Sequence, residues 1–263
     1  MVTRILSIVF FLVAIYLGYF LFNSVKSKID DEKRIARVEN NVIEKLKLIR
    51  DTQIAYQMVY GKYTSDWDSL ISFLDSGRIY ITERTEEIIQ KEYGGEEVIL
   101  HVDTVGTQPA IDYVFTELYL INAPDTGIIS NINFSVGDVI TKGFQLYFLQ
   151  TDEKLLKPRS EYVGEITAIY VKNGDKVIKA QTLGEVLFYK YPEGTNISRL
   201  AYIPGSNNKF DIYAAEIERS GVWVDVFEVK DVDPVNPERK TNNNEKALRI
   251  GSRTDVTTAG NWE

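Results

Sequence analysis

A chain of 263 residues, 44% hydrophobic and 26% charged, can bury one or two real cores and is too apolar to stay disordered. Its formal charge of −8 and pI near 5, with no basic stripe interleaved with aromatics, argue against a nucleic-acid partner. The absence of cysteine excludes disulfides, thiolate metal sites and cysteine nucleophiles.

The first element is an uncharged apolar run of 18 residues, Ile5 to Phe22, interrupted only by Ser7 and Gly18. Crossing the hydrocarbon core takes about 17–25 such residues, so residues 1–27 are expected to be a transmembrane anchor that meets the membrane through residues 5–22. Phe20-Leu21-Phe22-Asn23 offers no small-x-small cleavage site, which favours a retained anchor over a removed signal peptide. Arg4 precedes the run and Lys26, Lys28, Lys33, Arg34 and Arg37 follow it, a distribution that alone would hold the body in the cytoplasm. Asp30, Asp31 and Glu32 dilute that signal, and long domains translocate despite flanking charge.

Residues 28–75 are expected to form a helical stem and a short second helix. Ile35, Val38, Val42, Leu46 and Ile49 recur every three or four residues with polar residues between them, an apolar stripe on one helix face. Two destinations stay open for this stripe: the protein's own globular part, or a partner helix or another copy. The five residues are the candidate interaction site. Gly61 stands at the helix end, where left-handed geometry is needed, and Ser65 with Asp68 caps the next helix before Trp67, Leu70, Ile71 and Leu74. Residues 76–123 read as a mixed connector. Arg84 to Tyr93 is charged and reads as helical, while Val98 to Val102 and Tyr113 to Phe115 read as short strands or connectors.

In the middle, one passage occurs twice, 37 residues apart: GIISNINFSVGDVITKGFQL at 127–146 and GEITAIYVKNGDKVIKAQTL at 164–183. In each copy, alternating apolar residues reach a Gly-Asp turn, Gly137-Asp138 and Gly174-Asp175. There glycine permits positive φ and aspartate bonds nearby backbone. One copy is too small to bury its apolar face, so the two are expected to close on each other over residues 124–190.

These residues resemble the biotinyl/lipoyl-like barrel-sandwich hybrid, a family of carrier domains and of periplasmic adaptor (membrane-fusion) proteins. In the carriers the resemblance implies a modified lysine on the hairpin between the copies, seven residues after the first leucine and eleven before the second glycine. The interval of 18 from Leu146 to Gly164 is kept, and the lysine position holds Glu153, with Lys154 one place late. Lys154 is therefore a weak candidate for a modified residue. In the adaptors a long helical hairpin separates the halves, whereas here only the seventeen residues from Tyr147 to Val163 intervene.

A second resemblance covers about residues 5–75. The passage Gln53-Ile54-Ala55-Tyr56, then Tyr60-Gly61-Lys62-Tyr63-Thr64, at the end of a long helix is similar to type IV pilins and type II secretion pseudopilins. The chain lacks their basic leader and the glutamate five residues into the span, so the likeness implies stem architecture only. Together the resemblances imply an extracytoplasmic body.

After residue 190 the pattern is again β-like. Leu200 to Ile203 meets a Pro204-Gly205 turn, and Phe210 to Glu218 is expected to pair with Val222 to Val229 across Arg219-Ser220-Gly221, giving a β region at 191–230. Residues 231–263 read as a polar, extended tail.

Signals for chemistry are sparse. His101 is the only histidine and sits in an apolar strand pattern, poor material for a zinc site that takes three or four ligands. No G-x-S-x-G elbow occurs, and Gly94-Gly95 is followed by Glu96-Glu97, which would repel phosphate. Asp231, Asp233, Asn236 and Glu238 hint at calcium but lack the EF-hand spacing. No catalytic, metal or cofactor residues are expected.

The expected fold class is α+β: a transmembrane helix continuing into a long α stem, a lipoyl-like barrel-sandwich, and a C-terminal β-hairpin region. The expected function is a non-enzymatic, single-pass structural or adaptor component of a bacterial envelope assembly serving secretion, efflux, motility or a pilus-like machine. Such a component would sit in the inner membrane, bind other envelope proteins or itself through the stem, and form homo- or hetero-oligomers. The alternative is a carrier-like or regulatory lipoyl-type protein modified at Lys154.

Overall fold

The computed structural model describes residues 2–90, 96–161, 163–191, 194–240 and 247–263; the side chains of residues 2–10, 12–14, 84, 87, 89, 90, 96 and 97 lie outside that description. The chain divides into two compact units. One holds Met1–Arg50, Tyr63–Asp66 and Arg199–Glu263; the other holds Asp51–Lys62 and Trp67–Ser198.

Helix α1 runs Val2–Tyr60 and contributes to both units. It ends as its sequence dictates: Gly61 adopts φ 75° and donates its amide to the Gln57 carbonyl at 2.8 Å. The expected membrane span does not hold. Among the described residues no helix is long and apolar enough to cross a membrane. Residues 5–10 and 12–14, which open the apolar run, lie outside the described side chains. The transmembrane anchor in the expected fold class and the inner-membrane localisation fall with it.

In the second unit, α2 (Trp67–Ser76) buries Trp67, Leu70, Phe73 and Leu74 at helical spacing. It is followed by a long two-stranded ribbon, β1 (Arg78–Gln90) with β2 (Glu96–Pro109). The helix expected from Arg84 is thus a strand through Gln90, with Lys91 to Tyr93 outside the described residues. Ile79, Ile81, Thr82, Thr85, Ile88 and Ile89 are β-branched, and cross-strand pairing outweighs the helix preference of the glutamates between them. A bulge at Ile81/Thr82 leaves Val105 as the extra residue of β2. The strand expected at Tyr113–Phe115 is instead α3 (Ala110–Phe115), which follows Pro109, buries Ala110 and Val114 four apart, and is closed by the Thr116 hydroxyl on the Asp112 carbonyl at 2.6 Å.

The repeat region forms two four-stranded sheets from β3 (Thr116–Asn122), β4 (Gly127–Ser130), β5 (Val139–Ile140), β6 (Phe148–Gln150), β7 (Leu155–Leu156), β8 (Gly164–Ile169), β9 (Lys176–Val177) and β10 (Thr182–Tyr189). Their orders are β3-β10-β8-β5 and β7-β6-β4-β9. The two sheets are images of one another under the 37-residue repeat, which carries β4 onto β8, β5 onto β9 and β6 onto β10. Their shared core is paired likewise: Ile129 with Ile166, Ile140 with Val177, Leu146 with Leu183 and Leu149 with Val186, all buried.

In the first unit, β11 (Asp211–Arg219) and β12 (Val222–Lys230) form the expected hairpin, joined by Ser220 and Gly221 at φ 52° and 80°, the geometry a tight right-twisted hairpin needs. The supposed polar tail supplies a third strand, β13 (Arg249–Gly251), paired to β12, and buries Ala247, Leu248 and Ile250. Those three apolar residues dock the segment despite its polar composition.

Candidate functional site

The two Gly-Asp turns hold the sandwich together by exchange. Gly137 and Gly174 have φ 91° and 99°, as expected. The Gly137 amide donates to the Ile166 carbonyl (2.8 Å), and the Ile166 amide returns a bond to the Asp138 carbonyl (2.9 Å). Thirty-seven residues on, the partners trade places: Gly174 donates to the Ile129 carbonyl (2.7 Å) and Ile129 to the Asp175 carbonyl (2.9 Å). Each aspartate also accepts from the backbone three residues before it, Asp138 Oδ2 from Ser135 and Asp175 Oδ2 from Lys172, both at 2.8 Å. Gly127 and Gly164 serve another purpose. A Cβ there would lie 2.4 Å from the Gln150 carbonyl oxygen and 2.5 Å from that of Leu187, so neighbouring strands approach too closely for any side chain.

The carrier position lies on the turn Thr151-Asp152-Glu153-Lys154 between β6 and β7. Buried Thr151 organises it: its hydroxyl donates to the Lys154 carbonyl at 2.8 Å and accepts from the Lys154 amide at 3.0 Å. Glu153 is therefore at the tip and Lys154, though exposed, closes the turn through its own backbone. The hydroxyl clamp was not legible in the spacing; Thr151 in the turn was its only trace. Beside the hairpin, Tyr119, Ile121, Leu146, Tyr147, Arg159 and Val186 line a cavity of about 80 Å³. The Tyr147 hydroxyl reaches the Asn122 carbonyl at 3.5 Å, and burial pushes its pKa up to about 12.

The stem stripe goes to the first of its two destinations over its C-terminal part. Val42, Leu46 and Ile49 are buried within this chain, and Ile35 and Val38 are half-buried. Polar contacts in the same unit fasten α1: Glu39 accepts from Arg239 at 2.7 Å and from Asn236 at 3.1 Å, and Arg50 donates to Glu263 at 2.8 Å. The three buried residues are packing residues in this fold, since a side chain closed off by its own chain cannot meet a partner without unfolding.

The calcium hint dissolves into loop caps. Asp231 Oδ1 accepts from the Asp233 amide, Asp233 Oδ2 accepts from Ser206 and Asn208, and Asn236 Oδ1 caps Glu238. Burial, then the Asp233 and Glu39 charges, raise the pKa of Asp231 above the usual carboxylate range. Among the described residues, no group of three or more His, Cys, Asp or Glu is arranged to hold a metal. His101 is exposed on β2, opposite Thr85. Gly94-Gly95 lies outside the described residues.

Sequence reasoning read Val98 to Val102 as a short strand or connector, which lies within β2, but missed β1 and so the ribbon. One face carries Ile88, Val98, Leu100 and Val102, exposed to 59%, 57%, 50% and 52%, with Tyr80 further along the same side; on that face Leu100 pairs with Glu86 and Val102 with Arg84. The other carries Glu83, Asp103, Thr85, His101 and Ile99. The alternation Val98-Leu100-Val102 was the available signal.

No family model matches the chain, and no curated protein matches it. Among solved structures the chain is similar to the lipoyl domain of the 2-oxoglutarate dehydrogenase complex from Azotobacter vinelandii, at 22% identity and TM-score 0.24, covering 26% of this chain and 92% of that domain. It is also similar to a single-chain, multi-domain long-chain acyl-CoA carboxylase, at 15% identity and TM-score 0.26, covering 27% of this chain and spanning 7% of the carboxylase. At those scores the neighbours carry no argument, and the description of the sandwich rests on its own strand order and exchanged turns.

Proposed function

We propose that the protein is a non-enzymatic structural or adaptor component of a multi-protein assembly, with the sandwich as a rigid body and the β1–β2 ribbon as the arm that engages a neighbouring protein. The exposed run Val98, Leu100 and Val102 along β2, with Ile88 opposite Val98, carries this reading. A two-stranded ribbon is marginal in water, and exposed contiguous apolar surface on soluble proteins marks interaction sites. The finer pilin-like likeness enters only as architecture, a long helix sharing a unit with an antiparallel sheet.

Photo-crosslinking from Leu100 and Val102 in the native cell tests the proposal. Defined adducts with one protein, lost in Leu100→Glu/Val102→Glu while the melting curve is unchanged, support it; an absence of adducts from either position overturns it.

A second reading, a carrier-like or regulatory lipoyl-type protein modified at Lys154, is favoured by one observation: Lys154 is exposed on a hairpin that keeps the carriers' interval. Intact-mass measurement of protein from native cells separates the two. A covalent addition mapped to Lys154 supports the carrier, and an unmodified Lys154 removes it.

A further inference from the structure

In an acid-rich chain a cluster of three cations is unexpected, and one occurs where α1 meets the loop 199–210 of its own unit, a loop that the Asp233 carboxylate reaches through Ser206 and Asn208. The half-buried Lys45 ammonium donates to the main-chain carbonyl of Arg199. That carbonyl also accepts from the Tyr202 amide at 3.1 Å, so the lysine is held against a fixed backbone atom. The Arg199 guanidinium lies 5.4 Å and the Lys209 ammonium 5.6 Å from the Tyr202 ring centroid. A Tyr202–Lys209 bridge and the left-handed Gly205 (φ 80°) hold this loop in shape.

One helical turn from Lys45 stand Asn41, Val42, Leu48 and Ile49, and the adjacent Glu44 is paired with Lys47 at 2.9 Å. Among the described residues, no carboxylate forms an ion pair with Lys45, Arg199 or Lys209. Other arginines of the same unit are matched: Arg239 by Glu39, and Arg249 and Arg253 by Glu228. Burial, and after it the Arg199 charge, bring Lys45 down to about 8.

We propose that Lys45, on the Arg199 carbonyl, and Arg199 and Lys209, over the Tyr202 ring, form a binding site for a dianionic oxyanion of the phosphate class. A planar guanidinium fork and two compact ammonium groups are the donors such a group requires. A bound dianion replaces the repulsion between Lys45 and Arg199 with charge-assisted hydrogen bonds to both. The site is independent of the ribbon and of Lys154.

The test follows the Lys45 side chain by NMR pH titration of the full chain carrying ¹³C-labelled lysine, in phosphate, acetate or chloride at one ionic strength. Lys45→Arg assigns the signal. Phosphate should raise the Lys45 pKa by about one unit or more, with acetate and chloride leaving it low. Arg199→Met should remove the phosphate-specific rise; if that variant does not fold, Lys209→Met should weaken phosphate binding severalfold instead. A phosphoserine peptide tighter than inorganic phosphate assigns a phosphorylated partner, and equal or weaker peptide binding assigns a free anion; either supports the site. Equal movement in all three salts, meaning screening alone, or no movement in phosphate, overturns it.

Discussion

The β1–β2 ribbon and the sandwich use pairing in opposite ways. The ribbon aligns thirteen residue pairs in one hairpin, yet Ile88, Val98, Leu100 and Val102 remain open to solvent. In the sandwich β5, β7 and β9 are two residues each, yet Ile140 and Val177 are buried. Ladder length therefore does not decide which β structure is secure. The sandwich strands survive at that length because each Gly-Asp turn is bonded to the other copy's strand and both copies share one core. Among the described residues the ribbon pairs with no third strand, and Ile88, Val98, Leu100 and Val102 stay exposed although Ile79 at its base is buried. Stability here should follow closure, and substitutions can probe the difference directly.

The largest effect is expected where strands touch without room for a side chain. Gly164→Ala puts a methyl 2.5 Å from the Leu187 carbonyl oxygen, so the β8–β10 pairing must shift at a cost of about 3 kcal/mol or more. Denaturant melts of the full chain should show it, and a wild-type midpoint would break the account of closure. Next is Gly174→Val. Its site has open space, so only the φ of 99° opposes a β-branched residue, at about 1–3 kcal/mol. Should Gly174→Val prove costlier than Gly164→Ala, backbone conformation would outrank close approach.

Smaller still are Asp138→Ala and Asp175→Ala, each removing one bond to a backbone amide at about 1 kcal/mol. Their near-equality is the sharper measurement, because the turns are bonded alike; a difference beyond error would show that the copies do not share the load. The smallest effect is expected in the ribbon. Leu100→Glu at a half-exposed position should change the melting free energy by less than about 0.5 kcal/mol in the isolated protein. Amide exchange should then report β1 and β2 opening well before β8 and β10.

The sequence carried the sandwich because its information is local and doubled: Gly137-Asp138 and Gly174-Asp175 each specify a turn, and recurrence identified a second half. What the letters did not carry was reciprocity, the bond from Gly137 to Ile166 and back to Asp138, which exists only between segments. The ribbon was obscured by Glu86 and Glu87, which suit a helix; the arbiter was β2, and strand pairing is not written in either strand alone. Pro109 was the missed cue to α3, and Leu248 and Ile250 to β13. The stem stripe was read correctly as apolar, but its covering, closed by Glu39–Arg239 and Arg50–Glu263, depends on residues some two hundred positions away. At the carrier hairpin, the offset of Lys154 was legible and the Thr151 clamp that fixes its place was not.

The exchanged turns bear on how such a module can arise. Either half alone would leave its glycine amide and strand carbonyl without the partner that its twin supplies, and its natural complement is another copy of itself. Two separate halves meeting in solution would pair only above a threshold concentration. Joining them in one polypeptide makes that encounter intramolecular and independent of dilution. Ala180 at φ 65°, where the first half keeps Gly143 at φ 85°, shows the twins already diverging. Once tethered, each half is free to drift as long as it still answers the other.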